Sequence, residues 1–191
     1  GLTIHKTIPN SKFNKKTIIC SFKIYSKISM PLVVNEPSWN SVLNEAKKSF
    51  HQLILIVGPT GSGKSAMLQD ACSYNFTSIS LGLELSRKLM NLSQERRVLD
   101  AEEIALSIID AKNPTRLALD NIEILFEHPL RLNPLTLLKR ISQQRLTIAS
   151  WNGTSFPNKL CYGKEGSSSY QEFVYSDQDT FIVVPTLSLT K

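Results

Sequence analysis

Eight consecutive residues, from Gly58 to Ser65, have the types and spacing needed to hold a phosphate group. They match G-x-x-x-x-G-K-S, the pattern of a loop that wraps nucleotide phosphates. Gly58, Gly61 and Gly63 allow backbone turns that point successive N–H groups at one anion. Lys64 adds a positive charge for the β- and γ-phosphates, and the Ser65 hydroxyl is an oxygen ligand suited to Mg²⁺. The loop therefore predicts ATP and Mg²⁺ as ligands. The residues expected to contact the nucleotide are Gly58, Pro59, Thr60, Gly61, Ser62, Gly63, Lys64, Ser65 and Ala66.

The residues on either side of this loop favour the strand, loop and helix that such a site needs. Leu53 to Val57 is a continuous apolar run, as expected for a strand buried on both faces of a parallel sheet. No breaker follows Gly63 before Asn75, so a helix is expected to present the positive end of its dipole to the phosphate. The alternative is a glycine-rich turn with an unrelated lysine.

Asp120 is the second candidate ligand for the metal. It ends the apolar segment Arg116–Asp120, which is typical of the Walker B strand of nucleotide-binding proteins. Ligands bind at the carboxyl ends of the strands in open α/β sheets, so Asp120 is expected to hold Mg²⁺ together with Ser65. The alternative is an ordinary strand followed by a turn, which the pair Asp120-Asn121 also favours.

Glu123 is the candidate general base. Many motor-type ATPases place a glutamate directly after the Walker B aspartate, but this chain has Asn121 there, and Glu123 is the nearest carboxylate. In a continuing strand Glu123 would point to the face opposite Asp120, so it can act as a base only if the strand has ended. The alternative is a solvated or helix-capping acid.

Asn152 is the candidate sensor of the terminal phosphate. It follows the predicted strand Leu146–Trp151, where additional-strand ATPases carry a polar residue called sensor 1. The alternative is a tight Asn152-Gly153 turn that needs no ligand. The predicted catalytic set is therefore Lys64, Asp120, Glu123 and Asn152.

An arginine that would stabilise the transferred phosphate is not singled out by the pattern. Arg131, Arg140 and Arg145 all follow the Walker B segment, and each also reads as a solvated surface charge.

The remaining pattern predicts the elements that would surround this site. Capping residues and apolar periodicity indicate the helices, and short apolar runs indicate the strands. A capping box is expected to begin one helix at Asp100, and Asn133-Pro134 is expected to begin another. Residues 158–169 read as irregular. The other expected elements are a helix from Ser38 or Asn40 to Lys48, a strand Thr77–Leu81, a helix carrying Leu81, Leu85, Leu89 and Leu92, the end of the Asp100 helix at Lys112, and a strand Phe181–Val184.

Together these elements predict one α/β domain over residues 31–191. We expect the three-layer P-loop NTPase fold, with a five-stranded parallel sheet and helices on both faces. Numbering the strands from Leu53 along the chain, the expected order is 5-1-4-3-2. The handedness of parallel crossovers leaves helices on both sides.

Residues 1–30 form a segment with its own composition. They contain six of the 22 basic residues and none of the 16 acids, so the rest of the chain is neutral and its charge does not indicate nucleic-acid binding. A lysine interrupts its apolar stretch, which argues against a secretory signal. We expect a disordered basic extension, with Met30 as the natural start; an arm for an anionic partner is the alternative. Three scattered cysteines, Cys20, Cys72 and Cys161, favour reduced thiols in the cytoplasm, and no apolar run is long enough for a membrane span.

Four segments also resemble BrxF, the small P-loop protein of type III BREX phage-defence systems. They are Pro59-Thr-Gly-Ser-Gly-Lys-Ser-Ala, Leu81-Gly-Leu-Glu-Leu-Ser-Arg, Leu119-Asp-Asn-Ile-Glu-Ile-Leu-Phe and Ser150-Trp-Asn-Gly. The resemblance covers about Pro31 to Tyr175. It implies a bacterial cytoplasmic ATP-binding component that works with other proteins of the defence system, in which Asn121 after Asp120 is a family trait.

Three functional hypotheses follow from the sequence. The first is an ATPase completed by a partner or by a second copy that supplies an arginine. The second is an interaction module that binds ATP without cleaving it. The third, a small-molecule kinase, ranks last because no arginine-rich lid or acceptor motif is visible. Contact with nucleic acid is left open.

Overall fold

The computed structural model describes residues 32–33, 38–176 and 179–186 of the 191-residue chain, the first two as backbone. The predicted basic extension over residues 1–30, including Cys20 and Met30, lies outside the described residues. Within the described part, Cys72 and Cys161 are free thiols. No helix there is both long and apolar enough to cross a membrane.

The described residues form eight strands and five α-helices. The strands are β1 (Leu32–Val33), β2 (Leu53–Gly58), β3 (Thr77–Ser80), β4 (Arg116–Asp120), β5 (Leu146–Phe156), β6 (Lys159–Tyr162), β7 (Gln171–Val174) and β8 (Ile182–Pro185). The helices are α1 (Trp39–Ala46), α2 (Lys64–Cys72), α3 (Leu81–Leu89), α4 (Gln94–Lys112) and α5 (Pro134–Ser142). Two 3₁₀ turns, Glu123–Phe126 and His128–Leu130, lie between β4 and α5.

The main sheet is parallel and has the order β1-β8-β2-β5-β4-β3. Without the short edge strand β1, this is the predicted 5-1-4-3-2 order, which is therefore confirmed. The strand β2 leads into the segment Gly58–Ser65, which we call the phosphate loop after its predicted role. This strand lies near the centre of the sheet, between β8 and β5. Every residue of β2 is buried, as its unbroken apolar run predicted.

Alternate residues of each strand pack into two separate cores, and this produces the three layers. Leu53 and Leu55 face a core shared with α3, α4 and α5. Ile54 and Ile56 face a smaller core shared with α1 and α2. The indole N–H of Trp39 in α1 donates to the carboxylate of Asp70 in α2 at 2.8 Å, so the two helices on this face are also joined by a polar contact.

Several predicted boundaries are corrected by the structure. The helix α1 ends at Ala46 instead of Lys48, and β3 ends at Ser80 because Leu81 already begins α3. The capping box at Asp100 is wrong: α4 begins six residues earlier, at Gln94, where the Ser93 hydroxyl accepts a hydrogen bond from the N–H of Arg96. The acids at positions 100–103 lie inside this helix.

The helix α5 begins as predicted. The side chain of Asn133 accepts a hydrogen bond from the N–H of Thr136 at 3.0 Å, and Pro134 occupies the first helical position, where its missing N–H costs nothing.

The largest departure from the sequence prediction is an antiparallel extension of β5. This strand does not turn at Asn152-Gly153; it continues to Phe156, and β6 pairs with it from Gly153 onward. The strand β7 pairs in turn with β6. Part of the segment expected to be irregular is therefore a strand, β6, which is the middle strand of a three-stranded antiparallel unit at the carboxyl end of the parallel sheet.

Candidate nucleotide-phosphate site

The phosphate loop lies between β2 and α2, as its sequence predicted. Gly63 is the N-cap of α2, with a φ of 86°, and Lys64 is the first helical residue. The N-terminus of α2 therefore begins inside the loop, where its unpaired N–H groups and its dipole favour an anion. Gly61 also has a positive φ, of 79°. A side chain added at Gly61 or Gly63 would meet no atom within 4 Å, so the space beside both residues is open.

Gly58 is needed for a different reason from the one that the sequence indicated. It is not among the residues with positive φ. A Cβ atom placed on it would lie 1.8 Å from the hydroxyl oxygen of Thr186 and 2.5 Å from that of Ser62. Thr186 follows β8, and its N–H donates to the carbonyl of Val57 at 2.7 Å. The end of β8 therefore packs against the start of the loop, and only glycine leaves room for it.

The side chain of Lys64 is held across the loop by two neutral oxygens. Its ammonium donates to the carbonyl of Pro59 and to the side-chain oxygen of Asn152, both at 2.7 Å. The residue is 9% exposed. Burial lowers the pKa of Lys64, while the nearby carboxylates of Glu123 and Asp120 act in the opposite direction. An anion bound in the loop would therefore interact with the partly desolvated Lys64 ammonium, whose two hydrogen-bond acceptors are both neutral.

Asn152 connects the loop to Glu123. Its side-chain oxygen accepts from Lys64 and, at 3.4 Å, from the hydroxyl of Thr60, while its amide nitrogen donates to the carboxylate of Glu123 at 3.1 Å. The structure thus brings Lys64, Asn152 and Glu123 into one hydrogen-bonded chain. The alternative of a tight Asn152-Gly153 turn is wrong, because β5 runs through this position.

Asp120 is the last residue of β4, so it lies at the carboxyl edge of the parallel sheet, as the phosphate loop does. One oxygen of its carboxylate accepts from the hydroxyl of Ser150 at 2.7 Å and from the N–H of Asn121 at 3.0 Å. Within the described residues, the second oxygen makes no hydrogen bond to protein and stays available. Ser65 is exposed in the first turn of α2. A carboxylate with one open oxygen and an exposed hydroxyl fit a cation that completes its shell with phosphate oxygens and water.

Glu123 meets the condition set for a candidate base. The strand ends at Asp120, and the left-handed backbone of Asn121, with a φ of 53°, turns the chain into the 3₁₀ turn Glu123–Phe126. The strand alternation that would have carried Glu123 to the other face no longer applies. Its carboxylate therefore reaches Asn152, although Glu123 itself is exposed.

Two supporting residues were not identified from the sequence. Ser150 precedes Asn152 by two positions, which places it on the same face of β5, but nothing in its sequence context indicated a bond to Asp120. Gly82 lies at the second position of α3, and a Cβ there would be 2.2 Å from the carbonyl oxygen of Asn121. This close approach supports the turn that redirects the chain after Asp120.

Two of the three candidate arginines form ion pairs with carboxylates of α4. Arg140 pairs with Glu102 at 2.7 Å, and Arg145 pairs with Asp110 at 2.7 Å, so both bind carboxylates of α4. Arg145 precedes β5 at its amino end, the edge of the sheet opposite the phosphate loop. Arg131 is exposed and caps the 3₁₀ turn His128–Leu130.

Comparison with known proteins adds little to this geometry. No protein-family model matches the chain, and no curated protein matches it. Among solved structures, the chain is similar to that of C. elegans PCH-2, with a TM-score of 0.41 and 16% sequence identity over 81% of this chain. The chain spans 44% of the length of that structure's chain. The resemblance to BrxF stays a prediction.

Proposed function

We propose that this protein binds Mg²⁺-ATP through its phosphate loop. The observation that carries the proposal is the position of the Lys64 ammonium, which lies at the open loop between two neutral oxygens. In sites of this kind, backbone N–H groups hold the inner phosphates and the lysine reaches the β- and γ-phosphates. Gly61 and Gly63, which have positive φ angles and open space beside them, would supply the backbone part of such a site together with the N-terminus of α2.

Ser65 and Asp120 would hold the Mg²⁺ ion in this proposal. The ion would supply charge neutralisation at the β- and γ-phosphates. Ser150 would keep the Asp120 carboxylate oriented through its 2.7 Å hydrogen bond, because a hydroxyl that fixes one oxygen leaves the other directed for binding.

Slow ATP hydrolysis is the activity we infer for this site. Glu123 would accept a proton from the attacking water, and Asn152 would orient the γ-phosphate or that water from the same hydrogen-bonded chain. Arg140 and Arg145 are bound to carboxylates of α4. We infer that the charge that finishes the reaction comes from a partner or from a second copy of the chain.

Nucleotide binding and phosphate release by the purified protein test these steps separately. We expect a fluorescent ATP analogue to bind in the presence of Mg²⁺, and Lys64→Ala to weaken binding at least tenfold, because a charged hydrogen bond contributes roughly 1.5–3 kcal/mol. Lys112→Ala is the matched control, since Lys112 pairs with Glu84 in exposed positions. Equal binding by wild type and Lys64→Ala would contradict the proposal.

The second candidate function is a module that binds ATP without cleaving it. It is favoured by Asn121, which stands where a motor-type ATPase has its glutamate, and by the exposure of Glu123 on a turn. ATP-dependent change in size-exclusion behaviour with no phosphate release, even with partner proteins added, would favour this candidate over the ATPase.

The biological setting we propose is a bacterial BREX phage-defence system in the cytoplasm. It is supported by the sequence resemblance to BrxF, in particular by the Asp120-Asn-Ile-Glu123 and Trp151-Asn-Gly153 segments. The partners would be the other proteins of that system. Affinity capture of the tagged protein from cells that express the neighbouring genes tests this setting, and recovery of the protein with none of their products would count against it.

A further inference from the structure

A cleft of about 720 Å³ opens beside the phosphate loop, on the side of Asn152. Its walls are Pro59 and Thr60 of the loop, the outer half of β5, and the segment that joins β6 to β7. The volume lies in the range of about 300–1,000 Å³ that is typical of sites for small organic ligands. Pro59, Thr60 and Asn152 also belong to the proposed ATP site, whereas the rest of the lining lies outside it.

The position of Lys64 shows which end of a bound nucleotide the cleft would face. The lysine of a phosphate loop reaches the β- and γ-phosphates, and here its ammonium lies 2.7 Å from Asn152, which lines the cleft. Thr60, which also lines the cleft, donates a hydrogen bond to the same Asn152 oxygen. The inference therefore rests on the proposed function: if ATP occupies the loop, the cleft opens at its terminal phosphate.

Three aromatic rings give the cleft flat surfaces. Phe156, at the end of β5, is 47% exposed. Tyr162 stacks on Phe126 with ring centroids 3.7 Å apart, which covers one face of its ring. The hydroxyl of Tyr170 donates to the carboxylate of Glu172 at 2.7 Å and lies 3.3 Å from the sulfur of Cys161. These contacts hold Tyr162 and Tyr170 in place before any ligand arrives.

The polar groups of the cleft favour a neutral ligand. Ser167 and Ser169 offer hydroxyls near one another, at 3.2 Å. Lys164 and Glu165 carry opposite charges on the same wall, so the lining has no net charge with which to attract a polyanion. The cleft thus offers aromatic rings held in place, hydroxyl groups and a lining without net charge. These features match a neutral ligand that joins a planar heteroaromatic base to a sugar with hydroxyl groups.

We propose that this cleft binds a neutral ligand of the nucleoside class next to the terminal phosphate of bound ATP. The ring of the ligand stacks on Phe156 or Tyr170, and its hydroxyls bind the serines of the β6–β7 segment. Asn152 contacts both sites, so occupancy of one affects the affinity of the other.

Ligand-observed NMR on the whole protein tests the proposal. Adenosine, guanosine, cytidine and uridine are the probes, and saturating Mg²⁺ with a non-hydrolysable ATP analogue keeps them out of the ATP site. We expect saturation transfer to at least one nucleoside. At least one of Phe156→Ala and Tyr170→Ala should weaken that binding on the order of tenfold, because the ligand stacks on one of these two rings, and no loss in either variant would contradict the stacking. Tyr170→Phe keeps the ring but loses the hydroxyl contacts that hold it, so it should retain more binding than Tyr170→Ala.

Val174→Ala is the matched control, because Val174 is exposed on the same antiparallel unit but does not line the cleft. Binding of the ATP analogue with no transfer to any nucleoside would overturn the cleft proposal and leave the proposed function intact. Failure of the analogue itself to bind would overturn the proposed function, and with it the placement of the cleft at a terminal phosphate. Tighter binding of a short single-stranded oligonucleotide than of any nucleoside would contradict the neutral ligand class.

Discussion

The ammonium of Lys64 lies 2.7 Å from the side-chain oxygen of Asn152, although the two residues are 88 positions apart in the chain. They meet because β2 and β5 are adjacent parallel strands in which Gly58 is paired with Asn152. The phosphate loop leaves β2 at the level where Asn152 lies on β5. A lysine that begins the next helix can then reach across the loop.

This contact predicts that two substitutions of Asn152 change ATP affinity by different amounts. Asn152→Asp places a carboxylate beside Lys64, where it competes with phosphate for the ammonium and repels the γ-phosphate. We expect ATP affinity to fall about tenfold, the change produced by roughly 1.4 kcal/mol. Asn152→Ala removes only a neutral partner and should change affinity much less. Calorimetric titration with a non-hydrolysable analogue measures both, and similar affinities for the two variants would contradict the role given to this pair.

Ser150 provides a test of the metal site that leaves Asp120 in place. Ser150→Ala removes the hydroxyl that binds the Asp120 carboxylate at 2.7 Å. We expect the Mg²⁺ concentration needed for half-maximal nucleotide binding to rise on the order of tenfold, the usual effect of losing a residue that orients a metal ligand. Ser155→Ala, farther along β5, is the control. An unchanged Mg²⁺ dependence in Ser150→Ala would argue against Asp120 as a ligand.

Replacing Gly58 or Gly61 by alanine should lower the free energy of unfolding for two different physical reasons. Gly58→Ala forces a Cβ against Thr186 and Ser62, and we expect the free energy of unfolding to fall by about 1–3 kcal/mol. Adding Thr186→Ala removes the nearest clashing atom and should recover part of this loss. Gly61→Ala has open space but a φ of 79°, so it should cost about 1–2 kcal/mol with no recovery from Thr186→Ala. Urea unfolding measures all four variants, and equal loss in Gly58→Ala with and without Thr186→Ala would show that the clash is not the cause.

Stability should decrease below pH 6.5 because of His51. Burial lowers the pKa of His51 from its usual 6.5, with the Lys139 charge acting in the same direction. The unfolded chain therefore binds a proton at a higher pH than the folded one does, so acidification through 6.5 favours unfolding until the folded value is passed. His51→Gln should flatten the pH dependence of urea unfolding in this window; an unchanged slope would contradict the assignment.

Asp179 should add a second loss of stability at lower pH. Burial raises the pKa of this carboxyl, but hydrogen bonds from Lys139 and from Ser176 outweigh burial, and its pKa is lowered overall. A carboxylate with a lowered folded pKa stabilises the fold above its unfolded value of about 3.9, and this stabilisation is lost as the pH falls through the folded pKa. Asp179→Asn should remove this acid-side loss in the same unfolding series.

Local pattern was sufficient to predict the order of five strands of the main sheet, but not the short edge strand β1. Buried parallel strands are continuous apolar runs and need crossover helices between them, so the order of runs and helices restricted the topology to few choices. The strands β2 and β4 illustrate this. Both were predicted from their apolar runs, β2 ends at Gly58 of the phosphate loop, and β4 ends at Asp120, the candidate ligand for Mg²⁺. The start of α4 was predicted wrongly, because Asp100 and Glu103 match a capping box whereas Ser93, with Arg96 three residues later, does not, and yet Ser93 caps the helix.

The antiparallel unit after Asn152 could not be read from the chain. Asn152-Gly153 has the composition of a tight turn, but the backbone of Gly153 lies where a Cβ would be 1.8 Å from the carbonyl of Cys161 on the paired strand. The glycine thus permits close strand contact instead of reversing the chain. Short strands such as β6 and β7 carry weak patterns, and their pairing decides whether they form.

By itself the sequence predicted a phosphate-binding loop after a buried strand, and it predicted Asp120 at the end of one further strand and Asn152 just after the predicted end of another on the same edge. Only the tertiary structure decided which of these groups touch. Asp120, Ser150 and Asn152 share the sheet face covered by α2, because residues two apart on a strand point the same way and because β4 and β5 are neighbours in register. The chain turns at Asn121 instead of continuing as a strand, and this brings Glu123 to Asn152. Residue types specify the chemistry available at this edge of the sheet, whereas strand register and a single left-handed backbone turn specify which residues share it.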